Sequence, residues 1–292
     1  MTIIDGKQLA KDIKAEIAEE VKKITTSGKR APHLAAVLVG EDPASQVYVR
    51  NKVRSCEQVG FKSTLVRHPA DITEEALLEI VAGLNQDDAI DGFIVQLPLP
   101  KHINEEKVTL AIAPEKDVDG FHPVNFGRMS QGLPCYLPAT PAGILEMLRR
   151  YDIPTSGKEV VVIGRSNIVG TPISILLSRK ATPGNATVTL CHSRTVDLAA
   201  HTRRADIIIA SIGIPNFVKG DMVKEGVVII DVGINRVEDA TAKRGYRLRG
   251  DVNYEEVSPK ARFITPVPGG VGPMTVVSLL MNTLKANKKE VY

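Results

Sequence analysis

The chain has 292 residues, of which 43% are hydrophobic, and this allows one large or two ordinary globular domains with a real core. Its 37 basic and 34 acidic residues are interspersed, and the net charge of +3 argues against nucleic acid as a partner. The longest apolar runs have the length of strands, and the N-terminus lacks an uninterrupted apolar core. Neither a membrane span nor a signal peptide is therefore predicted.

The first half of the chain alternates between helix and strand patterns. Apolar residues at helical spacing predict a long amphipathic helix from Leu9 to Ile24. Asp42 can cap a second helix, which Gly60 can end. The remaining predicted elements are strands at 33–39, 61–66 and 92–96, a helix starting with a capping box at 71–74, and a helix at 104–113. This alternation predicts an α/β domain with a mostly parallel sheet.

Tyr48 and Lys52 lie four residues apart on the helix that begins at Asp42, so their side chains project from the same face. The neighbouring apolar stripe consists of Val49, Val53 and Cys56, which places the pair at the edge of the buried face. A lysine that loses hydration at such an edge can serve as a proton-transfer group. Taken alone, this stretch still favours a surface lysine and a tyrosine that simply packs.

A long loop follows the first set of elements. Residues 114–123 (PEKDVDGFHP) combine turn formers with charge, and the chain is expected to stay irregular through Pro138. A loop of this length in a compact domain is often functional. Within it, Asp117 is expected to stabilise the loop and His122 to make a structural hydrogen bond. A helix at 141–150 then marks the first domain boundary.

The second half has the rhythm of a Rossmann-like domain. A strand at 158–163 leads through a glycine turn into a helix at 173–179. Further strands are predicted at 187–190, 206–210, 227–231 and 263–265. Residues 239–250 are expected to form an exposed hairpin or loop, and the chain closes with an apolar helix after Pro273.

The glycine turn can present backbone N–H groups and the positive end of a helix to a phosphate. Gly164 and Gly170 are six residues apart and do not form a G-x-G-x-x-G motif, so a purely structural turn is equally compatible. Guanidinium and hydroxyl groups follow this strand and the next one: Arg165, Ser166, Ser193 and Arg194. They favour a 2′-phosphate and hence NADP, although Arg194 can equally be a solvated surface charge.

The three cysteines, Cys56, Cys135 and Cys191, have no C-x-x-C spacing. This argues against a disulfide framework and against a zinc site, and it fits a reducing cytoplasm.

Six motifs occur in a fixed order along the chain, at 45–52 (SQVYVRNK), 95–100 (VQLPLP), 116–122 (KDVDGFH), 164–172 (GRSNIVGTP), 231–235 (DVGIN) and 266–275 (PVPGGVGPMT). In this order they resemble the FolD family of bifunctional methylenetetrahydrofolate dehydrogenases/methenyltetrahydrofolate cyclohydrolases. The resemblance covers essentially the whole chain, and six ordered motifs are far more specific than any one of them.

The resemblance implies two reactions in one cleft between two domains. First, 5,10-methylenetetrahydrofolate gives up a hydride to NADP⁺. Water then adds to the resulting 5,10-methenyl cation, and the ring opens to 10-formyltetrahydrofolate. In this scheme Lys52 assists the attack of water and the proton transfer, and Gln96 pairs with Lys52.

The resemblance also implies the binding residues. Tyr48 stacks against the folate ring, and Asp119 holds the amino edge of the pterin with its carboxylate. The folate pocket is further lined by Leu97, Pro268, Gly269 and Gly270. The NADP side comprises Gly164, Arg165, Ser166, Ser193, Arg194 and Ile234.

The predicted fold class is α/β, with two domains flanking a cleft, the second of them a Rossmann-like NAD(P)-binding domain. We expect a folate-binding catalytic domain at 1–140, an NADP-binding domain at 141–272, and a C-terminal helix (273–292) that returns to the first domain. A cytoplasmic homodimer without a metal is expected. The rival function is a non-catalytic dinucleotide- or folate-binding sensor on the same scaffold. Such a sensor is expected to tolerate loss of Lys52 or Gln96, and both are present.

Overall fold

The computed structural model describes residues 1–242 and 245–292, and the chain divides into two compact units. One contains residues 1–10 and 140–275, and the other contains residues 11–139 and 276–292. We name them by their sheets the six-stranded unit and the three-stranded unit.

The strands are β1 Thr2–Ile3, β2 His33–Val39, β3 Lys62–His68, β4 Gly92–Val95, β5 Glu159–Ile163, β6 Thr187–Cys191, β7 Ile207–Ala210, β8 Val227–Asp231, β9 Asn235–Glu238, β10 Tyr246–Arg249 and β11 Ala261–Ile264. The helices are α1 Gly6–Thr26, α2 Pro43–Val59, α3 Glu74–Gln86, α4 Glu105–Ala111, α5 Pro123–Ser130, α6 Ala139–Arg150, α7 Gly170–Ser178, α8 Leu198–Arg204, α9 Tyr254–Val257 and α10 Val271–Asn287. A short 3-10 helix spans Gly220–Met222.

The three-stranded unit is built on a parallel sheet in the order β3-β2-β4. Every residue of β2 and β4 is buried, as expected for apolar runs that are covered on both faces of a parallel sheet. Helices α3 and α4 pack on this sheet through a cluster that includes Leu77, Val81, Phe93 and Val108. Burial of these apolar side chains, at about 25 cal/mol per Å², is the main term that stabilises the unit.

The six-stranded unit has a parallel sheet in the order β1-β11-β8-β7-β5-β6. The chain passes from β5 to β6 on one side and then returns to β7 on the other side of β5. This reversal is the topological switch point at which open α/β sheets bind ligands, outside the carboxyl ends of the strands. The α/β class and the Rossmann-like second domain are thus confirmed.

Residues 1–10 differ from the predicted domain bounds. They belong to the six-stranded unit, because β1 pairs in parallel with β11. The run from 276 to 292 belongs to the three-stranded unit together with residues 11–139, which matches the expected return of the C-terminal helix.

Two local predictions differ from the structure. The stretch expected to be irregular through Pro138 contains α5, because His122 caps the helix and Pro123 suits its first turn. Helix α3 is capped by Thr73, whose side chain accepts from the N–H of Ala76, and Asp71 lies outside the helix. The exposed hairpin predicted at 239–250 agrees with the structure, since β10 pairs antiparallel with β9 and every residue of both strands is exposed or half-buried. Residues 243–244 of that prediction lie outside the described residues.

Among residues 1–242 and 245–292, no helix combines the length and the apolar character needed to cross a membrane.

Candidate active site

Helix α2 is fixed at both ends by its own sequence. The Asp42 carboxylate accepts from the N–H of Ser45 at 2.7 Å, and Pro43 occupies the first helical turn. Gly60 ends the helix in the left-handed conformation (φ 79°), which glycine adopts without strain. These caps fix where the helix starts and ends.

One face of α2 is a buried stripe made of Ser45, Val49, Lys52, Cys56 and Val59. Lys52 lies within this stripe and is 8% exposed, whereas the prediction placed it beside the stripe. Tyr48, one turn earlier, is 45% exposed, so the pair spans the border between core and solvent. Lysine is almost never buried without a partner, so this position calls for one.

The partner of Lys52 is Gln96, the residue that follows β4. The N–H of Gln96 donates to the carbonyl of Val37 at 2.9 Å, which continues the sheet pairing to the end of the strand. The Gln96 Nε2 atom donates to the carbonyl of Leu97 at 2.7 Å. The amide oxygen is then left to accept from Lys52 Nζ at 3.2 Å. In the described part of the chain no second acceptor takes the remaining N–H groups of Lys52, which stay open to a ligand.

The loop that carries Asp119 runs alongside β4. The N–H of Phe93 donates to the carbonyl of Lys116 at 3.0 Å, and Phe93 and Asp117 form an isolated parallel bridge. Gly92 is required here, since a Cβ at that position would lie 2.2 Å from Val118 Cγ1. The Asp119 carboxylate is half-buried, and none of the described residues donates a hydrogen bond to it.

Asp117 holds this loop from the inside. Its carboxylate accepts from the N–H groups of Phe121 (3.3 Å) and His122 (2.8 Å) and from Nδ2 of Asn125 (3.0 Å). Burial raises the pKa of Asp117 to about 6, against the effect of these three donors. The His122 Nδ1 atom accepts from the N–H of Val124 at 3.1 Å, which is the structural role expected for it.

At the switch point of the six-stranded sheet, two glycines permit a close approach of backbone. Gly164 follows β5 with φ 115°, and a Cβ there would lie 2.3 Å from the carbonyl oxygen of Ser211, which follows β7. A Cβ on Gly170 would lie 1.9 Å from the carbonyl oxygen of Gly164. Both positions therefore require glycine, because the backbone of this turn packs directly against neighbouring backbone.

The predicted cofactor side chains divide into two kinds. Ser166 Oγ accepts from the N–H groups of Val169 (3.2 Å) and Gly170 (3.4 Å), so it shapes the turn into α7. Three others are exposed with no side-chain partner in the described residues: Arg165, Ser193 and Arg194. Because the last residues of β5 and β6 pair in register, Arg165 and Ser193 follow their strands by the same number of residues at one edge. Two guanidinium groups and a hydroxyl at such an edge suit a phosphate monoester.

Ile234 lies in the loop after β8 and is 46% exposed. The loop is held by Asp231, whose carboxylate accepts from the N–H groups of Gly233 (3.0 Å), Asp251 (2.9 Å) and Val252 (3.0 Å). Burial raises the pKa of Asp231 to about 7. Asp231 thus anchors this turn.

The Gly-rich return at Pro268, Gly269 and Gly270 lies against the start of α1. The carbonyl of Gly269 accepts from the N–H of Lys7 at 3.1 Å. A Cβ on Gly6 would lie 1.8 Å from the carbonyl oxygen of Gly270, so Gly6 is required for this contact. The sequence prediction did not single out Gly6.

The structure therefore joins Lys52 directly to Gln96 and places Tyr48, Leu97 and Asp119 in the same three-stranded unit. The other predicted site residues belong to the six-stranded unit: Gly164, Arg165, Ser166, Ser193, Arg194, Ile234, Pro268, Gly269 and Gly270. Sequence reasoning missed Asn125 and Asn282, two buried amides that hold the Asp119 loop. A signal for Asn282 was available, because a polar residue in the apolar run of α10 must find hydrogen-bond partners.

Comparison with known families decides the relationship. Residues 4–119 match the model of the tetrahydrofolate dehydrogenase/cyclohydrolase catalytic domain, and residues 138–291 match that of the corresponding NAD(P)-binding domain. The chain belongs to the tetrahydrofolate dehydrogenase/cyclohydrolase family. The resemblance drawn from the six motifs is thereby confirmed, and the rival sensor function receives no support.

Full-length relatives agree with the family assignment. The bifunctional protein FolD of Bacteroides fragilis is 62% identical, with 100% of each chain covered. The crystal structure of the bifunctional FolD dehydrogenase/cyclohydrolase of Campylobacter jejuni superposes with a TM-score of 0.93 at 46% identity, covering 99% of both chains. The Trypanosoma brucei dehydrogenase-cyclohydrolase, solved with NADP cofactor and inhibitor, has a TM-score of 0.93 at 40% identity and covers 100% of this chain and 98% of its own. As a member of the tetrahydrofolate dehydrogenase/cyclohydrolase family, this chain is an enzyme with both activities.

Proposed function

We propose that the chain oxidises 5,10-methylenetetrahydrofolate with NADP⁺ and hydrolyses the 5,10-methenyl product to 10-formyltetrahydrofolate, using the Lys52–Gln96 pair for the hydrolytic step. The single observation that carries this assignment is a lysine that is 8% exposed and hydrogen-bonded by a side-chain amide at the carboxyl end of a parallel sheet. A buried amine with open N–H groups is suited to proton transfer and has no evident role in packing.

The chemistry at Lys52 follows from its surroundings. Water adds to the amidinium carbon of the methenyl cation, a C–O bond forms, and the attacking water loses a proton. We assign Lys52 as the group that accepts this proton. Gln96 orients the amine, because its own Nε2 is held by the carbonyl of Leu97 and only its oxygen faces Lys52. Ring opening then breaks the C–N5 bond as the hydroxyl oxygen of the adduct becomes the formyl carbonyl. N5 takes up the proton that Lys52 accepted, and the hydroxyl proton is released to solvent.

Folate recognition is assigned to a small set of groups. The exposed ring of Tyr48 can stack on the pterin, and the Asp119 carboxylate, which no described residue occupies, can accept two hydrogen bonds from its amino edge. The assignment extends to Leu97 and to the backbone of Pro268, Gly269 and Gly270. The positive φ of Gly269 (109°) supports a close approach of backbone to a ligand there.

NADP fits the carboxyl edge of the six-stranded sheet. The backbone at Gly164 and the loop at Ile234 border the switch point, and the side chains available for a 2′-phosphate are Arg165, Ser193 and Arg194. Ser166 acts indirectly, by holding the turn. Held at this edge, NADP⁺ would supply the hydride acceptor for the oxidation of the folate.

The proposal is tested by measuring the two activities separately on the purified protein. Reduction of NADP⁺ is followed with 5,10-methylenetetrahydrofolate, and hydrolysis is followed with added 5,10-methenyltetrahydrofolate and no nucleotide. Both rates must exceed the rates without protein. Absence of both activities in a folded sample would overturn the proposal, and absence of hydrolysis alone would overturn the role of Lys52.

The proposed setting is a homodimer in the cytoplasm, without nucleic acid or membrane partners. The three cysteines, which are buried as thiols, support a reducing compartment, and the even balance of charges argues against a nucleic acid partner. Light scattering on the purified chain tests the dimer, and a monomer at micromolar concentration contradicts it.

A further inference from the structure

Asp119 has no hydrogen-bond partner of its own among the described residues, so the position of its carboxylate depends on how the backbone around it is held. Two buried amides hold that backbone. Asn282 of α10 donates through Nδ2 to the carbonyls of Val118 (2.8 Å) and Leu137 (2.9 Å). Asn125 of α5 donates through Nδ2 to the carbonyl of Pro114 (2.9 Å) and to the carboxylate of Asp117 (3.0 Å).

Asn125 is completely buried, and the oxygen of its amide is also fully used. This oxygen accepts from the N–H of Tyr136 at 3.2 Å and from the hydroxyl of Tyr292 at 2.8 Å. The amide can rotate by 180° only if all four bonds are broken. Its orientation, and with it the bond to Asp117, is therefore set in part by the Tyr292 hydroxyl.

The ring of Tyr292 packs against two other side chains. Its ring lies 5.7 Å from that of Tyr136 at an angle of 51°, and the guanidinium carbon of Arg128 lies 4.8 Å above it. Both distances are within the range of favourable ring–ring and cation–π contacts. These contacts support the ring of Tyr292, a residue that is 40% exposed, while its hydroxyl donates to Asn125.

We propose that Tyr292 is a positioning residue for folate binding, acting through Asn125 and Asp117 on the loop that presents Asp119. The chain of contacts runs from the Tyr292 hydroxyl to the Asn125 amide, then to the Asp117 carboxylate, which accepts the N–H groups of Phe121 and His122 just beyond Asp119. Tyr292 does not touch the substrate. It belongs to a different class of residue from Lys52 and Gln96, and the inference rests on the proposed role of Asp119 in folate binding.

The geometry of the loop makes the position of Asp119 depend on the hydrogen bonds of Asn125 and Asp117. Gly120 has φ 73°, and a Cβ there would lie 2.6 Å from the carbonyl carbon of Leu137, so the turn after Asp119 is tightly packed on one side. On the other side the turn depends on the Asp117 carboxylate and hence on Asn125. Loss of one neutral hydrogen bond in this network costs about 1 kcal/mol, which corresponds to about a 5-fold change in an equilibrium constant.

The experiment compares Tyr292→Phe with wild type in both reactions. The variant keeps the ring and its contacts and removes the hydroxyl. We expect KM for the folate substrate to rise by about 3- to 10-fold in both reactions, with kcat changed less than about 2-fold. The reason is that the substrate and the transition state lose the same binding energy when pterin binding is weakened. The Kd for NADP, measured by fluorescence titration without folate, should not change.

Two controls separate positioning from general stability. Tyr246→Phe removes a hydroxyl from a tyrosine whose ring also lies under a guanidinium, that of Arg236 at 4.0 Å, and it should leave every constant unchanged. Tyr292→Phe is also made in an Asp119→Ala background. If Tyr292 acts through Asp119, the second change adds less than about 2-fold to the KM of the single Asp119→Ala variant.

The outcomes are distinct. Additive effects on KM in the double variant, an unchanged KM in Tyr292→Phe, or equal losses in folate and NADP binding would each overturn the role of Tyr292. A wild-type protein without either activity would instead overturn the proposed function, and an unchanged KM in Asp119→Ala would overturn the role of Asp119 and the inference with it.

Discussion

Replacing Lys52 by methionine tests the division of labour between the two reactions. Methionine has a similar length and suits the buried stripe of α2, so the fold is retained. The change leaves Gln96 Oε1 without its donor at 3.2 Å, which costs about 1–3 kcal/mol if no water replaces it. Burial of the apolar methionine side chain offsets part of this cost, so we expect the net change in the free energy of unfolding to stay below about 2 kcal/mol.

The catalytic effect of Lys52→Met should be much larger for hydrolysis than for oxidation. Proton transfer by a positioned side chain contributes about 10²- to 10⁴-fold, so hydrolysis of the methenyl substrate should fall by at least about 100-fold. Hydride transfer moves no proton through Lys52, and we expect that rate to fall by no more than about 10-fold, through altered positioning of the folate. Both rates are read spectrophotometrically on the same sample.

Lys14→Met is the matched control. Lys14 Nζ also donates to a glutamine oxygen, Oε1 of Gln58 at 3.0 Å, and to Ser55 Oγ at 2.8 Å, but it has no assigned role in either reaction. Both activities should stay near wild type in this variant. Full hydrolysis in Lys52→Met, or equal losses of both activities, would refute the role given to Lys52.

Two further predictions concern the six-stranded unit. Arg165→Ala should weaken the binding of NADP by about 10-fold and that of NAD by less than about 2-fold, because only NADP has a 2′-phosphate for the guanidinium to contact. Equal losses of affinity in titrations with both nucleotides would refute the assignment. Asp231 has a pKa raised by burial from 3.8 to about 7, so the folded state keeps a proton that the unfolded state has lost between about pH 4 and pH 7. Stability should therefore fall as pH rises through this window, by at most about 4 kcal/mol from this group, and urea midpoints of Asp231→Asn should show a shallower slope; an identical slope contradicts the reasoning.

The sequence predicts the order of elements well, because the inner strands of the two parallel sheets, such as β2, β7 and β8, are continuous buried apolar runs. It is less informative about short polar elements. Helix α5 has only eight residues and contains Gly127, and one of its two buried residues, Asn125, is polar, so its start is visible only in His122 and Pro123. The pairing of Thr2–Ile3 with β11 is equally hidden, because a two-residue strand has no pattern of its own.

The same contrast holds within the site. The spacing of Tyr48 and Lys52 places them on one helix face, but their different burial depends on the packing of α2, which a single helix pattern does not fix. The contact between Lys52 and Gln96 joins residues 44 positions apart and requires the tertiary fold. The network of Asn125 and Tyr292 spans 167 positions, and no local signal indicates it.

The measurement that tests the central claim most directly is the balance of products from one reaction of the purified protein with 5,10-methylenetetrahydrofolate and NADP⁺. NADPH, 5,10-methenyltetrahydrofolate and 10-formyltetrahydrofolate are quantified over time by absorbance and chromatography. The structure predicts that NADPH formed equals the sum of the two folate products and that 10-formyltetrahydrofolate forms faster than the methenyl compound hydrolyses on its own. The proposed function would be contradicted if the methenyl compound accumulated and was hydrolysed no faster than without protein, or if no NADPH formed.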